Sequence, residues 1–102
     1  MTEITFENFR EEISLSEKPV LLAFYNQEVP QNLSYIEALD AMHLPNIYIC
    51  KTDTQNGGAA FAALYGVLAT PTLLLLKNGK EIARYCGLAK KEAVLSFLKD
   101  IL

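Results

Sequence analysis

The 102-residue sequence predicts an α/β fold in which a central mixed sheet of four or five strands is flanked by about four helices. Short apolar runs, which are typical of buried strands, alternate with segments whose apolar residues recur at helical spacing. The pair Asn78-Gly79 separates the last two strand-like runs and indicates a β-hairpin. Strands joined by helices pair in parallel, whereas a hairpin adds an antiparallel edge, so the predicted sheet is mixed.

The first half of the chain predicts helix, strand and helix in turn. Apolar residues at helical spacing, Phe6, Phe9 and Ile13, predict that the N-terminal segment is helical. The run of residues 20–25 is apolar throughout, as in a strand covered on both faces of a sheet. A second helix is predicted to end before Pro45, because a proline disfavours helical backbone in the residue before it. Its apolar residues recur every three positions, at Leu33, Ile36, Leu39 and Met42.

The second half of the chain predicts three further strands and two further helices. Residues 47–50 form a short apolar strand, and a glycine-containing loop then leads to an alanine-rich helix over residues 59–65. We expect this helix to face inward through Phe61 and Leu64. The hairpin strands and the apolar stripe of a closing helix follow, at residues 72–76, residues 81–86, and Val94, Phe97, Leu98 and Ile101.

Composition and charge exclude several classes of function. The net charge of −3 gives no electrostatic reason to expect a nucleic-acid or anionic-membrane partner. No apolar run approaches the roughly 20 residues that span a bilayer, and the N-terminal segment does not resemble a signal peptide. Two cysteines are too few for a secreted disulfide scaffold, and one histidine makes a metal site improbable. We expect a single domain over residues 1–102, cytoplasmic, without cofactor or metal.

The order of elements and several short motifs resemble the thioredoxin superfamily from Ile4 to Leu102. Each motif alone is weak, but together, in this order and near the family's spacing, they are specific. The resemblance implies the thioredoxin fold; only residues 53–65 look longer than usual, by about three residues. The matching motifs are Lys18-Pro19 with the following apolar run, Tyr65-Gly66-Val67, Thr70-Pro71-Thr72, Lys77-Asn78-Gly79 and Gly87.

The sequence departs from the family at the redox motif. Thioredoxins carry Cys-Gly-Pro-Cys at a helix start, where the helix N-terminus lowers the pKa of the first thiol and the second thiol resolves the mixed disulfide. Aligned without a gap, Val29 and Asn32 occupy the two cysteine positions. Aligning the prolines instead places Glu28 and Gln31 there. Neither alignment supplies a thiol, so we expect no dithiol–disulfide oxidoreductase activity and assign no catalytic residue.

A second departure lies beneath the missing thiols. The family's buried aspartate, which assists proton transfer, is replaced here by Ala23, and the lysine usually associated with it falls near Ile49. A buried carboxylate costs several kcal/mol unless it has a partner or a purpose. Alanine is therefore the more stable choice once the dithiol is gone.

One part of the family's active site is retained. Thr70-Pro71 matches the cis-proline loop, which in the family presents the backbone of the preceding residue to an extended peptide. The alternative is that Pro71 shapes the fold alone. The resemblance implies a binding groove for a protein or peptide partner, lined or flanked by Glu28, Val29, Pro30, Leu68, Ala69, Thr70, Pro71 and Cys86.

Three functions remain open from the sequence. The first is a redox-inactive domain that binds a protein or extended peptide through the groove, and the loss of every other active-site group favours it. The second is a weak thiol-dependent redox protein that uses Cys86 as a monothiol, although an isolated cysteine in a strand is more often a packed hydrophobe. The third is a structural subunit, including a homodimer. In the family's strand order Cys50 and Cys86 would lie about 14 Å apart, so we expect both thiols to be free.

Overall fold

A computed structural model describes residues 1–44 and 46–101, with the backbone alone for Ile101. The strands in these residues are β1 (Thr2–Glu3), β2 (Val20–Tyr25), β3 (Tyr48–Asp53), β4 (Thr72–Lys77) and β5 (Lys80–Cys86). The helices are a π-helix (Arg10–Ser14), α1 (Pro30–Asp40), α2 (Ala59–Tyr65) and α3 (Lys91–Ile101). No described helix is long and apolar enough to cross a membrane.

The five strands form one mixed sheet in the order β1-β3-β2-β4-β5. β1 and β2 both pair with β3 in parallel, whereas β4 runs antiparallel to β2 and to β5. The turn between β4 and β5 has positive φ angles at Asn78 (53°) and Gly79 (79°), as a two-residue hairpin turn of type I′ requires. The predicted mixed sheet and its hairpin are confirmed.

β2 explains how the two layers of helices attach to the sheet. Its six residues are all buried, and alternate residues face opposite sides of the sheet. Leu21, Ala23 and Tyr25 belong to one core cluster, which includes residues of α1 and α3. The other three belong to a second cluster, with residues of the π-helix and α2. The run is apolar throughout because both of its faces are covered.

The N-terminal segment differs from the predicted regular helix. β1 pairs with β3 instead, and Ile4, whose amide donates to Lys51 O (2.7 Å), is fully buried. The π-helix follows, with the Leu15 amide bonded to Arg10 O, five residues back. Phe6 is 72% exposed and lies in a turn before it. A two-residue strand is too short to show the alternation that is typical of strands. The sequence therefore predicts only the helix that the spacing of the phenylalanines indicates.

Leu64, which was predicted to face inward, is exposed, and so is Leu33, the first residue of the three-residue repeat. Leu33 on α1 is 42% exposed and Leu64 on α2 is 67% exposed. A repeat of three residues drifts around a helix of 3.6 residues per turn, so it cannot keep one face. The buried residues of α1 follow the i, i+3, i+4, i+7 pattern instead, at Asn32, Tyr35, Ile36 and Leu39. α1 ends at Asp40, and Pro45, where we placed the limit of this helix, lies outside the described residues.

Candidate functional site

Four strands meet at one edge of the sheet. β2 ends at Tyr25, β3 at Asp53 and β5 at Cys86, whereas the antiparallel β4 begins there at Thr72. The register places Tyr25 opposite Asp53, Phe24 opposite Thr72, and Thr72 opposite Cys86. We call this the site edge. It carries the segments in which the sequence predicted the groove.

The 26–29 loop joins β2 to α1 at the site edge. Asn26 Oδ1 accepts a hydrogen bond from the Glu28 amide (2.8 Å), and Asn26 O accepts one from the Val29 amide (3.0 Å). Asn32, which is 3% exposed, folds back and accepts a bond from the Asn26 amide (3.0 Å) through its Oδ1. Pro30 is the first residue of α1, where its missing N–H costs nothing. The two expected thiol positions therefore hold a half-buried valine and a structural asparagine.

Ala23 is fully buried in β2, and its register partner on β3 is a lysine. The register sets Ala23 opposite Lys51, whereas Ile49, where the family's lysine falls in the alignment, pairs with Leu21. Lys51 Nζ lies 3.9 Å from Glu3 Oε1 and 5.5 Å from the centre of the Tyr25 ring. A lysine is thus present beside the alanine, and it is already engaged by a carboxylate and an aromatic ring.

A carboxylate network that the sequence did not reveal supports the site edge. Asp53, 3% exposed, accepts hydrogen bonds through Oδ1 from the Gln55 amide (2.9 Å) and, more weakly, from the Gln27 amide (3.4 Å). The Asp53 amide in turn donates to Glu3 Oε2 (2.9 Å). Burial raises the pKa of Tyr25, whose hydroxyl donates to Glu3 Oε1 (2.6 Å). Asp53 therefore ties the loop before α1 to the loop before α2.

The 68–71 loop opposite α1 contains a cis peptide bond between Thr70 and Pro71, as the resemblance implied. Thr72 Oγ1 donates to Ala69 O (2.7 Å), and the Gly87 amide donates to Pro71 O (2.9 Å). These bonds fix both sides of the loop. Within residues 1–44 and 46–101, the Thr70 amide and carbonyl make no backbone hydrogen bond. Thr70 therefore offers a free donor and a free acceptor at the site edge.

A cleft of about 440 Å³ lies between this loop and α2. It is open to solvent, and none of its lining residues is charged. Three of the predicted groove residues line it, namely Leu68, Ala69 and Thr70. The other five, Glu28, Val29, Pro30, Pro71 and Cys86, do not. The lining residues that sequence reasoning missed are Thr54, Ala59, Ala62, Ala63 and Val67.

The two cysteines are both free and lie far apart. β2 and β4 separate the strand of Cys50 from that of Cys86, which confirms the expected arrangement. Cys50 is fully buried, and burial raises the pKa of its thiol, so it is a packed hydrophobe. Cys86 is exposed at the site edge. In the part of the chain that the structure describes, no His, Cys, Asp or Glu side chains are grouped to hold a metal ion.

Comparisons with known proteins agree with this architecture. A family model described as Thioredoxin matches residues 1–100. The thioredoxin of Chlamydia trachomatis serovar D is 30% identical over 97 residues, which cover 93% of this chain and 92% of the relative. The thioredoxin of Streptomyces clavuligerus is also 30% identical over 97 residues, with 93% and 90% covered.

One solved structure extends the comparison to three dimensions. A mutant thioredoxin from Halobacterium salinarum NRC-1 superposes with a TM-score of 0.84, covering 98% of this chain and 88% of that chain. At 19% identity this likeness shows the fold alone. With the fold, the cis-proline loop and the family match over residues 1–100 in place, the chain belongs to the thioredoxin family.

Proposed function

We propose that this chain binds an extended segment of a protein or peptide at the site edge, without disulfide exchange. One observation carries the proposal: the free amide and carbonyl of Thr70 stand beside an apolar cleft. An extended peptide can add to such an edge through main-chain hydrogen bonds, while pockets for its side chains give specificity. The loop and helix start at the same edge, which include Asn26, Val29 and Asn32, carry no thiol.

The chemistry of the cleft favours an apolar side chain in the bound segment. Its wall along α2 consists of the methyl groups of Ala59, Ala62 and Ala63, and its far side includes Val67 and Leu68. Each methylene buried there would contribute about 0.8 kcal/mol. A charged side chain would lose its hydration without gaining a partner, because no charged residue lines the cleft.

The name of the relatives suggests redox chemistry, which this chain lacks the thiols to perform in the usual way. A thiolate of Cys86 attacking a disulfide would form a mixed disulfide, and a second thiol must then release it. Cys50 cannot do so, since it is buried and two strands intervene. Binding is therefore the better proposal, and a monothiol role for Cys86 is the alternative.

The first prediction concerns disulfide reduction. In an insulin-reduction assay with dithiothreitol, this chain should not accelerate precipitation above the rate of dithiothreitol alone. The reason is that neither Val29 nor Asn32 supplies a thiol at the start of α1. The Cys86→Ser variant should behave as the wild type. Acceleration comparable to a competent thioredoxin would contradict the absence of redox function, and its loss in Cys86→Ser would assign it to that thiol.

The second prediction tests the cleft with two leucines on α2. Ala63 lines the cleft whereas Ala60 does not, and both are exposed. Leucine is tolerated in exposed helix positions, so both variants should fold. A peptide selected from a random display library on the wild-type chain should bind Ala63→Leu at least about tenfold more weakly, a loss of about 1.4 kcal/mol. It should bind Ala60→Leu as it binds the wild type.

Fluorescence anisotropy with the labelled peptide measures these affinities, and size-exclusion chromatography of the same samples reports any homodimer. If the library yields no binder, the proposed function is wrong. If the selected peptide binds both leucine variants equally, the peptide site lies elsewhere on the chain. A dimer that Ala63→Leu alone dissociates would favour the structural-subunit alternative.

A further inference from the structure

The chain contains two Asn-Gly pairs, Asn56-Gly57 and Asn78-Gly79. In such a pair the backbone nitrogen of the glycine can attack the side-chain carbonyl of the asparagine, because glycine has no side chain to obstruct the approach. The reaction needs the local backbone to rotate until the two atoms meet. Both pairs carry the same reactive atoms, but their surroundings in the fold differ.

The peptide between Asn56 and Gly57 is less constrained than the two amides that flank it. Both residues are exposed, and a Cβ built on Gly57, whose φ is 94°, would meet no atom within 4 Å. Among the described residues, none accepts a backbone hydrogen bond from the Gly57 amide. The Asn56 amide and the Gly58 amide are anchored on Asp53 O, at 3.0 and 2.7 Å. The backbone between the anchored Asn56 and Gly58 amides can therefore rotate without breaking either hydrogen bond to Asp53 O.

The Asn78-Gly79 pair is held on three sides. Gly79 O accepts a hydrogen bond of 2.6 Å from the Tyr65 hydroxyl. A Cβ on Gly79 would lie 3.3 Å from Ser14 Oγ, so the backbone already packs against that residue. The flanking lysines, at positions 77 and 80, are paired in the β4–β5 ladder. Rotation of this pair would break the bond to Tyr65 and disturb the ladder.

We propose that Asn56 is a site of spontaneous modification in the folded protein, and that Asn78 is protected. The Gly57 nitrogen loses its proton to hydroxide and attacks Asn56 Cγ. This attack closes a five-membered ring. The C–N bond of the side-chain amide then breaks, and its nitrogen takes a proton from water and leaves as ammonia, which gives the succinimide and returns the hydroxide. Water then opens the ring at either carbonyl and leaves aspartate or isoaspartate at position 56. No oxidation or reduction takes place, and water is the only co-reactant.

The modification changes the loop beside the cleft. It adds one carboxylate, so the net charge goes from −3 to −4 (−3 − 1 = −4). Residue 56 lies between Thr54 and Ala59, which both line the cleft. Isoaspartate also inserts an extra methylene into the backbone between the anchors on Asp53. The reactivity of this loop does not depend on whether the cleft binds a peptide.

Incubation of the folded chain in warm, mildly alkaline buffer, followed by peptide mapping with mass spectrometry, tests the proposal. The Asn56 peptide should convert to aspartate and isoaspartate about tenfold faster than the Asn78 peptide, a ratio that corresponds to about 1.4 kcal/mol in activation free energy. In the urea-denatured chain the two rates should become similar. The Asn56→Gln variant should abolish the fast conversion.

The Tyr65→Phe variant probes the protection directly, because it removes the hydroxyl that binds Gly79 O and keeps the ring that packs near Phe9. The Asn78 rate should rise several-fold in this variant, while the Asn56 rate stays unchanged. Equal rates at the two sites in the folded wild type, or faster conversion at Asn78, would overturn the proposal. An unchanged Asn78 rate in Tyr65→Phe would overturn the assigned cause of protection.

Discussion

Replacing Ala23 by aspartate is expected to destabilise the folded chain by about 2–4 kcal/mol at neutral pH. Ala23 is fully buried in β2, so a carboxylate there would lose its hydration. Burial of this kind raises the pKa of a carboxyl group by up to about 3–5 units, and each unit corresponds to about 1.36 kcal/mol. Lys51 lies opposite and would recover part of the loss, although Glu3 already engages it.

The loss should depend on pH with a definite sign. The new carboxyl would have a higher pKa in the folded state than its unfolded value of about 3.9. Between these two values the folded state binds more protons than the unfolded state, so the free energy of unfolding falls as the pH rises. The charge-related loss should be absent below about pH 4 and grow above it. Urea denaturation at a series of pH values measures it.

Ala23→Asn is the matched control, because asparagine has nearly the same shape as aspartate and no charge. Its destabilisation should be independent of pH over the same range. Equal and pH-independent losses for the two variants would show that Lys51 neutralises the new carboxylate without a net cost. The prediction would then be wrong, and the alanine would need another explanation.

The double variant Val29→Cys with Asn32→Cys is expected to gain disulfide-reductase activity. The Asn32 amide donates to Val29 O (2.9 Å), so positions 29 and 32 form one tight turn. That bond brings the backbones of the two positions close together, and a disulfide needs Cα atoms about 4.4–6.8 Å apart. The start of α1 would favour a thiolate at position 29 through the helix dipole. Insulin reduction should proceed at least about tenfold above the dithiothreitol background.

The single variant Val29→Cys tests the attack on a substrate disulfide separately from the release of the mixed disulfide. It should form a mixed disulfide with substrate and stall, because the second thiol is missing. The Asn32→Cys substitution also removes the acceptor that holds the Asn26 amide, at a cost of about 1–3 kcal/mol. Thermal unfolding of each variant therefore accompanies the assay. A folded double variant that forms the disulfide but reduces nothing would show that more than the thiols is missing.

Local patterns predicted much of the fold. The apolar run predicts a strand at residues 20–25, and the alanine-rich segment predicts a helix over residues 59–65, as the structure has them. Gly66, which follows α2, has the left-handed conformation that ends helices (φ 66°). These features depend on neighbours a few positions away. The errors have two causes. The pairing of β1 with β3 is long-range, because its partner residues lie nearly fifty positions later in the chain. The exposure of Leu33 follows from the three-residue repeat of α1, which drifts around the helix and does not stay on its buried face.

The candidate site was predicted in part. The cis bond before Pro71 followed from the resemblance, and Leu68, Ala69 and Thr70 do line the cleft. The alanines of α2 that line the other side of the cleft have no functional group, so no sequence pattern assigns them to a site. Asp53 was missed because its role is to accept backbone amides from loops on both sides of the sheet edge.

The sequence by itself determined which residues stand at the family's thiol positions and which fold is present. The thiol positions, the alanine at position 23 and the motifs around Pro71 can be read without coordinates, because they are identities at fixed spacing. Tertiary structure alone decided which residues meet across the sheet: Lys51 beside Ala23, α2 against the 68–71 loop, and Tyr65 on Gly79 O. Such contacts depend on strand register and helix rotation, and both are set by packing of the whole core rather than by local sequence.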